Sequence, residues 1–356
     1  MLTNDEAVQE RRNEYDVTNT INVSSPHSVR RAVRELFSDL YPAAGFDAVW
    51  LAFHDFERMY GGFDAEYHGI DTSYHDMQHS LDMTLAVARL VHGYEGSVPA
   101  AERLGPERAT LALIAALFHD AGYLRHRVRD ANAANGAEFT RTHVTRSGRF
   151  LETYLPRVGL EHFTPVISRI VHYTGYEVSL DQIELDDPKD SIVGHLLGTG
   201  DLVAQLADRC YLEKCRDRLF PEFVLGGVAL EAGERGTDVR YRSGRDLLSQ
   251  TLMFYQGSVH TRLERGFNGA YRYFEPFFGG EHNPYVLFIR KNLTFLSRIL
   301  ERDEWHKLRR RPPCVIPDPY GEARLMALAL RRVRERNEAG RAERARRQRL
   351  EPVLNC

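Results

Sequence analysis

His75 and His79 lie four residues apart in the run Tyr74-His75-Asp76-Met77-Gln78-His79-Ser80-Leu81-Asp82. On a helix that spacing stacks both imidazoles on one face, with Asp82 three residues further on. The apolar run Leu111-Ala-Leu-Ile-Ala-Ala-Leu-Phe118 then ends in His119-Asp120. An unpaired carboxylate at the end of a buried helix costs several kcal/mol, so a partner is expected, and a cation is the simplest one. Further on, Val193, Leu197, Asp201 and Ala204 fall on one helical line, which aims a third acid at the core. Two imidazoles and two carboxylates from three helices suit Zn, Mn, Fe or Co. A bridging Asp120 would allow a second, harder ion such as Mg, so two divalent ions are expected. The alternative is a buried cluster of mutually satisfied ion pairs.

The elements that must position these groups read as helices almost throughout. Residues 29–41 and 46–60 are amphipathic, the first stopped by Pro42. A longer helix is predicted from about Tyr74 to Val91. The 111–118 run, apolar all round, reads as a buried central helix with Gly122 as its stop signal. Residues 121–137 are polar and irregular. Helices are predicted at about 138–155, 162–174, 189–209, 246–265 and 284–304, the last capped by Asn283 with Pro284 at its first position. No run of strands or internal repeat stands out, so the fold class is all-α.

The order His…His-Asp…Asp resembles the HD superfamily of metal-dependent phosphohydrolases, which are helical bundles. The Tyr-His-x-x-x-His block is similar to the Tyr-His-Asn-x-x-His block of class I cyclic-nucleotide phosphodiesterases, with Asp76 in place of the Asn. Phe118-His119-Asp120-Ala121-x-Tyr123 also resembles small bacterial phosphohydrolases of the superfamily. The resemblance spans roughly residues 45–300. It implies that His79, His119, Asp120 and Asp201 hold the first metal, that Asp120 also touches the second, and that His75 is the general acid. It further suggests His143 as an additional ligand, against a satisfied core histidine, because Phe139, His143, Phe150 and Tyr154 share an inward face. By rough position Gln250 and Gln256 would contact a nucleotide base, against ordinary polar positions on an amphipathic helix.

Other candidates rest on local pattern. Asp82 either accepts from His79 as a supporting residue or is solvated. His172 sits beside the apolar stripe of Phe163, Val166, Ile167 and Ile170 and is a further ligand candidate. Glu138 either supports the site or favours the start of its helix. The His54-Asp55 pair reads as a surface pair, and the aromatic run 271–278 as core packing. The implied activity is hydrolysis of a phosphoester, a phosphodiester of a (cyclic) nucleotide first of all. Nucleoside mono- or triphosphates are an alternative substrate class, and a catalytically silent domain for ligand sensing or protein interaction an alternative role.

At 356 residues with 43% hydrophobic content, the chain can bury a sizeable core. A net charge of −3 gives no global attraction to nucleic acid or anionic membrane. No apolar run approaches the ~20 residues that cross a bilayer, and residues 1–16 lack the apolar centre of a signal peptide. Four cysteines without a Cys-x-x-Cys pair read as free thiols, which points to the cytoplasm. Residues 1–28 read as a loosely held polar leader and 29–305 as the catalytic domain, with 221–245, rich in Gly and charge, as a loop or lid. Residues 306–356 read as a Pro-containing linker and an Arg-rich tail. Glu335, Glu338 and Glu343 interleave with those arginines, as in a solvated helix rather than a nucleic-acid binder.

Overall fold

Helices whose surfaces are apolar all round can only lie at the centre of a molecule, with amphipathic ones packed around them. In the computed structural model, which describes residues 11–230, 240–280, 282–313 and 315–350, α1 (Pro26–Leu40) packs on α3 (Met77–Ser97), and α2 (Asp47–Tyr60) on α4 (Gly105–Phe118). Then come α5 (His143–Tyr154), α6 (Thr164–Val171) and α7 (Pro188–Ala207). The later elements are α8 (Tyr211–Lys214), α9 (Phe220–Leu225), α10 (Gly244–Phe254), α11 (Phe274–Phe277), α12 (Pro284–Arg302) and α13 (Gly321–Leu350). Two isolated bridges, Tyr15 with Asn22 and Tyr67 with His126, are the β pairing found among the described residues, so the fold is all-α.

α3, α4 and α7 pack on one another and form the core. Leu111, Ile114 and Leu117 of α4 are fully buried, each burial contributing about 1.5–3 kcal/mol. α7 approaches α3 closely because residue 200 is glycine: a Cβ there would meet Val87 Cγ2 at 2.5 Å. Phe118, the last residue of α4, lies against Phe56, Phe150 and Tyr154 with ring centroids 6.0, 5.1 and 4.8 Å away. That aromatic cluster fixes where α4 ends, and therefore where His119 and Asp120 sit.

Several expectations are corrected. The leader is not loose over its described part, since residues 11–25 are tied to the core. Asp16 is fully buried and accepts from the backbone N–H of Thr18, Thr20 and Ile21 and from Arg89, whose Nη2 lies 2.6 Å away. Arg11 donates to the carbonyl of Ala207 at the end of α7. A polar stretch looks solvated in sequence when its charges are in fact paired across the fold. The second His-Asp pair is only half at the surface: His54 is exposed, while Asp55 is buried and accepts from Tyr154 Oη at 3.0 Å.

The helix predicted over 246–265 stays α-helical to Phe254 and continues as wider π turns at Tyr255–Val259 and Arg262–Gly266, where Gly257 and Gly266 weaken the α preference. Both ends of the 221–245 segment are helical, residues 221–225 in α9 and 244–245 at the start of α10, while 231–239 lies outside the described residues. The proline-containing linker is strapped down. Arg218 donates to the carbonyls of Pro312 and Pro313, Arg216 donates to that of Leu308, and Leu308 is buried. The first turns of the tail helix α13 bury Leu325 and Ala329 against Val224 and Leu225 of α9. The aromatic run does pack inward, with Phe274 fully buried and stacked on Tyr285.

Removing Asp16 leaves buried Arg89 with Tyr285 Oη, at 2.9 Å, as its hydrogen-bond partner among the described residues and with no paired carboxylate there. Asp16→Ala should therefore lower unfolding free energy by about 3–5 kcal/mol in urea titration. A loss below about 1 kcal/mol would mean the N-terminal segment is not integral to the fold.

Candidate metal centre

Local chain chemistry sets each functional side chain. Asp76, rather than a residue further upstream, caps α3: its carboxylate accepts from the backbone N–H of His79 at 3.0 Å. An aspartate at this position competes with helix continuation, so the helix starts at Met77, and His75 precedes it instead of stacking one turn from His79. His79 occupies the first turn. At the other end of the core, His119 is the last helical-type residue of α4, and Asp120 enters a 3₁₀ turn, Ala121–Tyr123. Gly122 is not a left-handed helix stop. It is required because a Cβ there would lie 1.9 Å from the carbonyl of His143, and that contact brings the start of α5 against the His-Asp pair. Asp201 comes from the middle of α7.

These elements bring His79, His119, Asp120 and Asp201 together, all buried. His79 Nε2 lies 3.2 Å from His119 Nε2, 3.4 Å from Asp120 Oδ2 and 3.3 Å from Asp201 Oδ1. His119 Nε2 lies 3.1 Å from Asp120 Oδ2 and 3.8 Å from Asp201 Oδ1. Four donors around one ion with bonds of about 2.1 Å stand about 3.4 Å apart, which is the scale of these separations. His79, His119 and Asp120 form the tightest set, mutually within 4.8 Å, and Asp201 joins it through the two imidazoles.

The chemistry of the donor set fits a cation. His119 Nδ1–H donates to the carbonyl of Ala116 at 2.8 Å, which leaves a bare Nε2 facing Asp120. Asp120 Oδ2 is buried without a hydrogen-bond donor. Lone pairs facing lone pairs at this range repel. Protonating both imidazoles would set two imidazolium ions 3.2 Å apart, whereas one divalent ion satisfies all four groups. Without that ion the cluster favours a trapped proton: burial favours neutral His79, yet the adjacent carboxylates of Asp120 and Asp201 outweigh it and push His79 up to about 10. Burial opposes ionisation of Asp120 too, and the neighbouring imidazoles of His119 and His75 overcome it and hold the acid well below its ordinary range.

The other candidates fall at varied distances from this centre. His143 starts α5, donates from Nδ1 to the Thr140 carbonyl at 2.7 Å and turns Nε2 toward Asp120 Oδ1 at 3.7 Å. Asp120 thus presents one oxygen to the His79–His119 pair and the other to His143. Burial pushes His143 below its ordinary pKa, with Asp120 opposing. His75 Nδ1 lies 2.7 Å from Glu222 Oε2, and its ring stacks on Tyr123 at 4.6 Å. Burial would lower its pKa, but Glu222 and Asp120 outweigh burial and raise it.

Asp82 is buried rather than solvated and makes no direct bond to His79. Burial, reinforced by Asp208, pushes it up to about 7. His172 is half-buried beyond α6, with Nδ1 unpartnered and Glu177 as its neighbouring charge. Glu138, in the 3₁₀ turn Gly136–Phe139, accepts from the backbone N–H of Ala134 just before that turn. Gln250 donates to the Arg240 carbonyl, and Gln256 is exposed on a π turn, so neither contacts the cluster.

Three contributors escape the sequence pattern. Glu222 sits in the segment read as a lid, on α9, after the π turn Cys215–Leu219. Glu177 holds the start of α5 by accepting from the N–H of Val144 and Thr145. Gln205 donates to Asp201 Oδ1 at 3.2 Å and accepts from Tyr74 Oη at 3.0 Å. Only Gln205 left a signal, since it stands one helical turn after Asp201. No family model matches the chain, and comparison with curated proteins and with solved structures finds no match.

Imidazole ligands bind a divalent ion in their unprotonated form, so a divalent ion at this centre would compete with protons for His79 and His119. Apparent affinity of metal-stripped protein for Zn²⁺ or Mn²⁺ should therefore rise with pH across the neutral range, with proton release in calorimetry run in buffers of different ionisation enthalpy. Affinity independent of pH would contradict imidazole ligation.

Proposed function

We propose that this chain is a metal-dependent phosphohydrolase of the HD type, acting on a phosphoester, first of all a phosphodiester of a nucleotide. The observation that carries the proposal is His75. It is a histidine beside a two-His, two-Asp cluster, its Nδ1–H directed at the buried carboxylate of Glu222 and its side chain partly open to solvent. A purely structural ion-pair cluster has no use for a further imidazole held this way, and neither does a silent domain.

His79, His119, Asp120 and Asp201 would hold the first ion. Asp120 Oδ1 and His143 face the position where a second would gain ligands. Divalent ions bound there supply Lewis acidity, which makes water acidic enough to attack at neutral pH and offsets charge on the phosphoryl oxygens. The protein's own residues do the rest. Glu222 holds the His75 Nδ1–H and raises the ring's pKa, which favours the imidazolium, the form in which Nε2 carries a transferable proton. His75 then donates to the departing alkoxide, the role of a general acid. Gln205, steadied by Tyr74, orients Asp201.

The mutational test separates binding from proton transfer. Asp120→Ala should lose metal and activity together. His75→Ala should keep metal and lose rate by about 10²–10⁴-fold on a diester with an alkyl leaving group. The loss should be much smaller on bis(p-nitrophenyl) phosphate, whose leaving group departs readily as the anion. Equal losses on both esters would show that His75 is not the acid. Glu222→Gln removes the charge that raises the His75 pKa, so the alkaline limb of the rate profile should move to lower pH. An unmoved limb would assign that limb to another group.

A further inference from the structure

Of the three imidazoles around Asp120, two have their Nδ1–H fixed by a backbone carbonyl, Ala116 for His119 and Thr140 for His143. His79 has no such acceptor among the described residues, because its interactions with protein groups run through Nε2 to His119, Asp120 and Asp201. A ligand imidazole whose second nitrogen is unbound is poorly oriented and a weaker donor.

Behind His79 lies a small polar cavity bordered by Tyr74, Gln78, Asp82, Asp208 and Lys214, with room on the scale of one water molecule. Asp82 is buried and its Oδ1 has no hydrogen-bond partner. The cavity is not a cation site. Lys214 already supplies the positive charge, with Nζ 2.5 Å from Asp208 Oδ2 and 2.8 Å from Gln78 Oε1. The cavity is lined both by His79, whose Nδ1 has no hydrogen-bond partner among the described residues, and by Asp82, whose Oδ1 has none either.

We propose that an internal water in this cavity accepts from His79 Nδ1–H and donates to Asp82 Oδ1, which makes Asp82 the positioning residue for His79. One molecule satisfies both orphaned groups, and the metal ligand gains through water the carboxylate support that its two neighbours obtain directly from carbonyls. The consequence for metal affinity rests on the metal-centre reading; the water contact itself does not.

The test pairs two variants with a spectroscopic readout on full-length protein. Asp82→Leu, which fills the cavity and removes the acceptor, should weaken Zn²⁺ binding about 10–100-fold in chelator competition, while Asp82→Asn, which can still accept, should recover most of it. Unchanged affinity in a folded Asp82→Leu protein would overturn the proposal. In wild-type protein with ¹⁵N-labelled histidine, the His79 Nδ1–H should persist and show a cross-peak to a bound water, with or without Zn²⁺. A missing Nδ1–H, or one without water contact, would also overturn it, even where the leucine variant fails to fold. If wild-type protein binds no Zn²⁺ yet shows the cross-peak, the metal reading fails and the water bridge stands.

Discussion

The bare Nε2 of His119, held by the Ala116 carbonyl and turned toward a buried carboxylate oxygen 3.1 Å away, is the constraint around which the rest of this structure is arranged. In water the two groups would separate or take up a proton. In the core they are fixed by α4, whose end is gripped by Phe56, Phe150 and Tyr154. The negative end of that helix adds to the demand for positive charge at the same point. His79 and Asp201 converge on it from α3 and α7, the two helices that Gly200 allows into close contact. Packing thus holds four donors at separations that a bound proton or a cation would relieve.

A second layer keeps those donors in place. Asp76 stops α3 from extending backward and so frees His75 to reach Glu222. Gly122 admits the start of α5, which brings His143 to the far oxygen of Asp120. Tyr74 and Gln205 hold Asp201. Around them lies a buried network of near-balanced charge, with Arg11, Asp16, Arg89, Asp208 and Lys214, that ties the N-terminal segment to the middle of α3 and the end of α7. The site is therefore the meeting point of segments distant in sequence rather than the property of one loop.

What the sequence made legible follows from periodicity and from the cost of burying charge. The all-α class and most helices could be read from apolar spacing, and the four-residue cluster from acids and imidazoles on inward stripes. What stayed hidden depends on tertiary pairing. Asp16 and Arg11 look solvated until their partners on α3 and α7 are known. Glu222 lies in a segment whose glycines and charges read as a lid, and no local pattern marks it as the partner of a histidine 147 residues away. α3 starts at Met77 rather than near Tyr74 because Asp76 acts as its cap, a role that the helical spacing of His75, His79 and Asp82 obscured. Gln250 and Gln256 carried a positional analogy without a local physical reason, and they lie at the surface without contact to the cluster.

The most direct test of the central claim is X-ray absorption at the metal edge of protein reconstituted with Zn²⁺ or Mn²⁺. The account predicts bound metal with a nitrogen and oxygen shell at about 2.0–2.2 Å and the outer-shell scattering of two imidazoles, lost in His119→Ala. Protein that binds no ion after reconstitution, or binds one without imidazole scattering, would contradict it and leave the four residues as a buried ion-pair cluster.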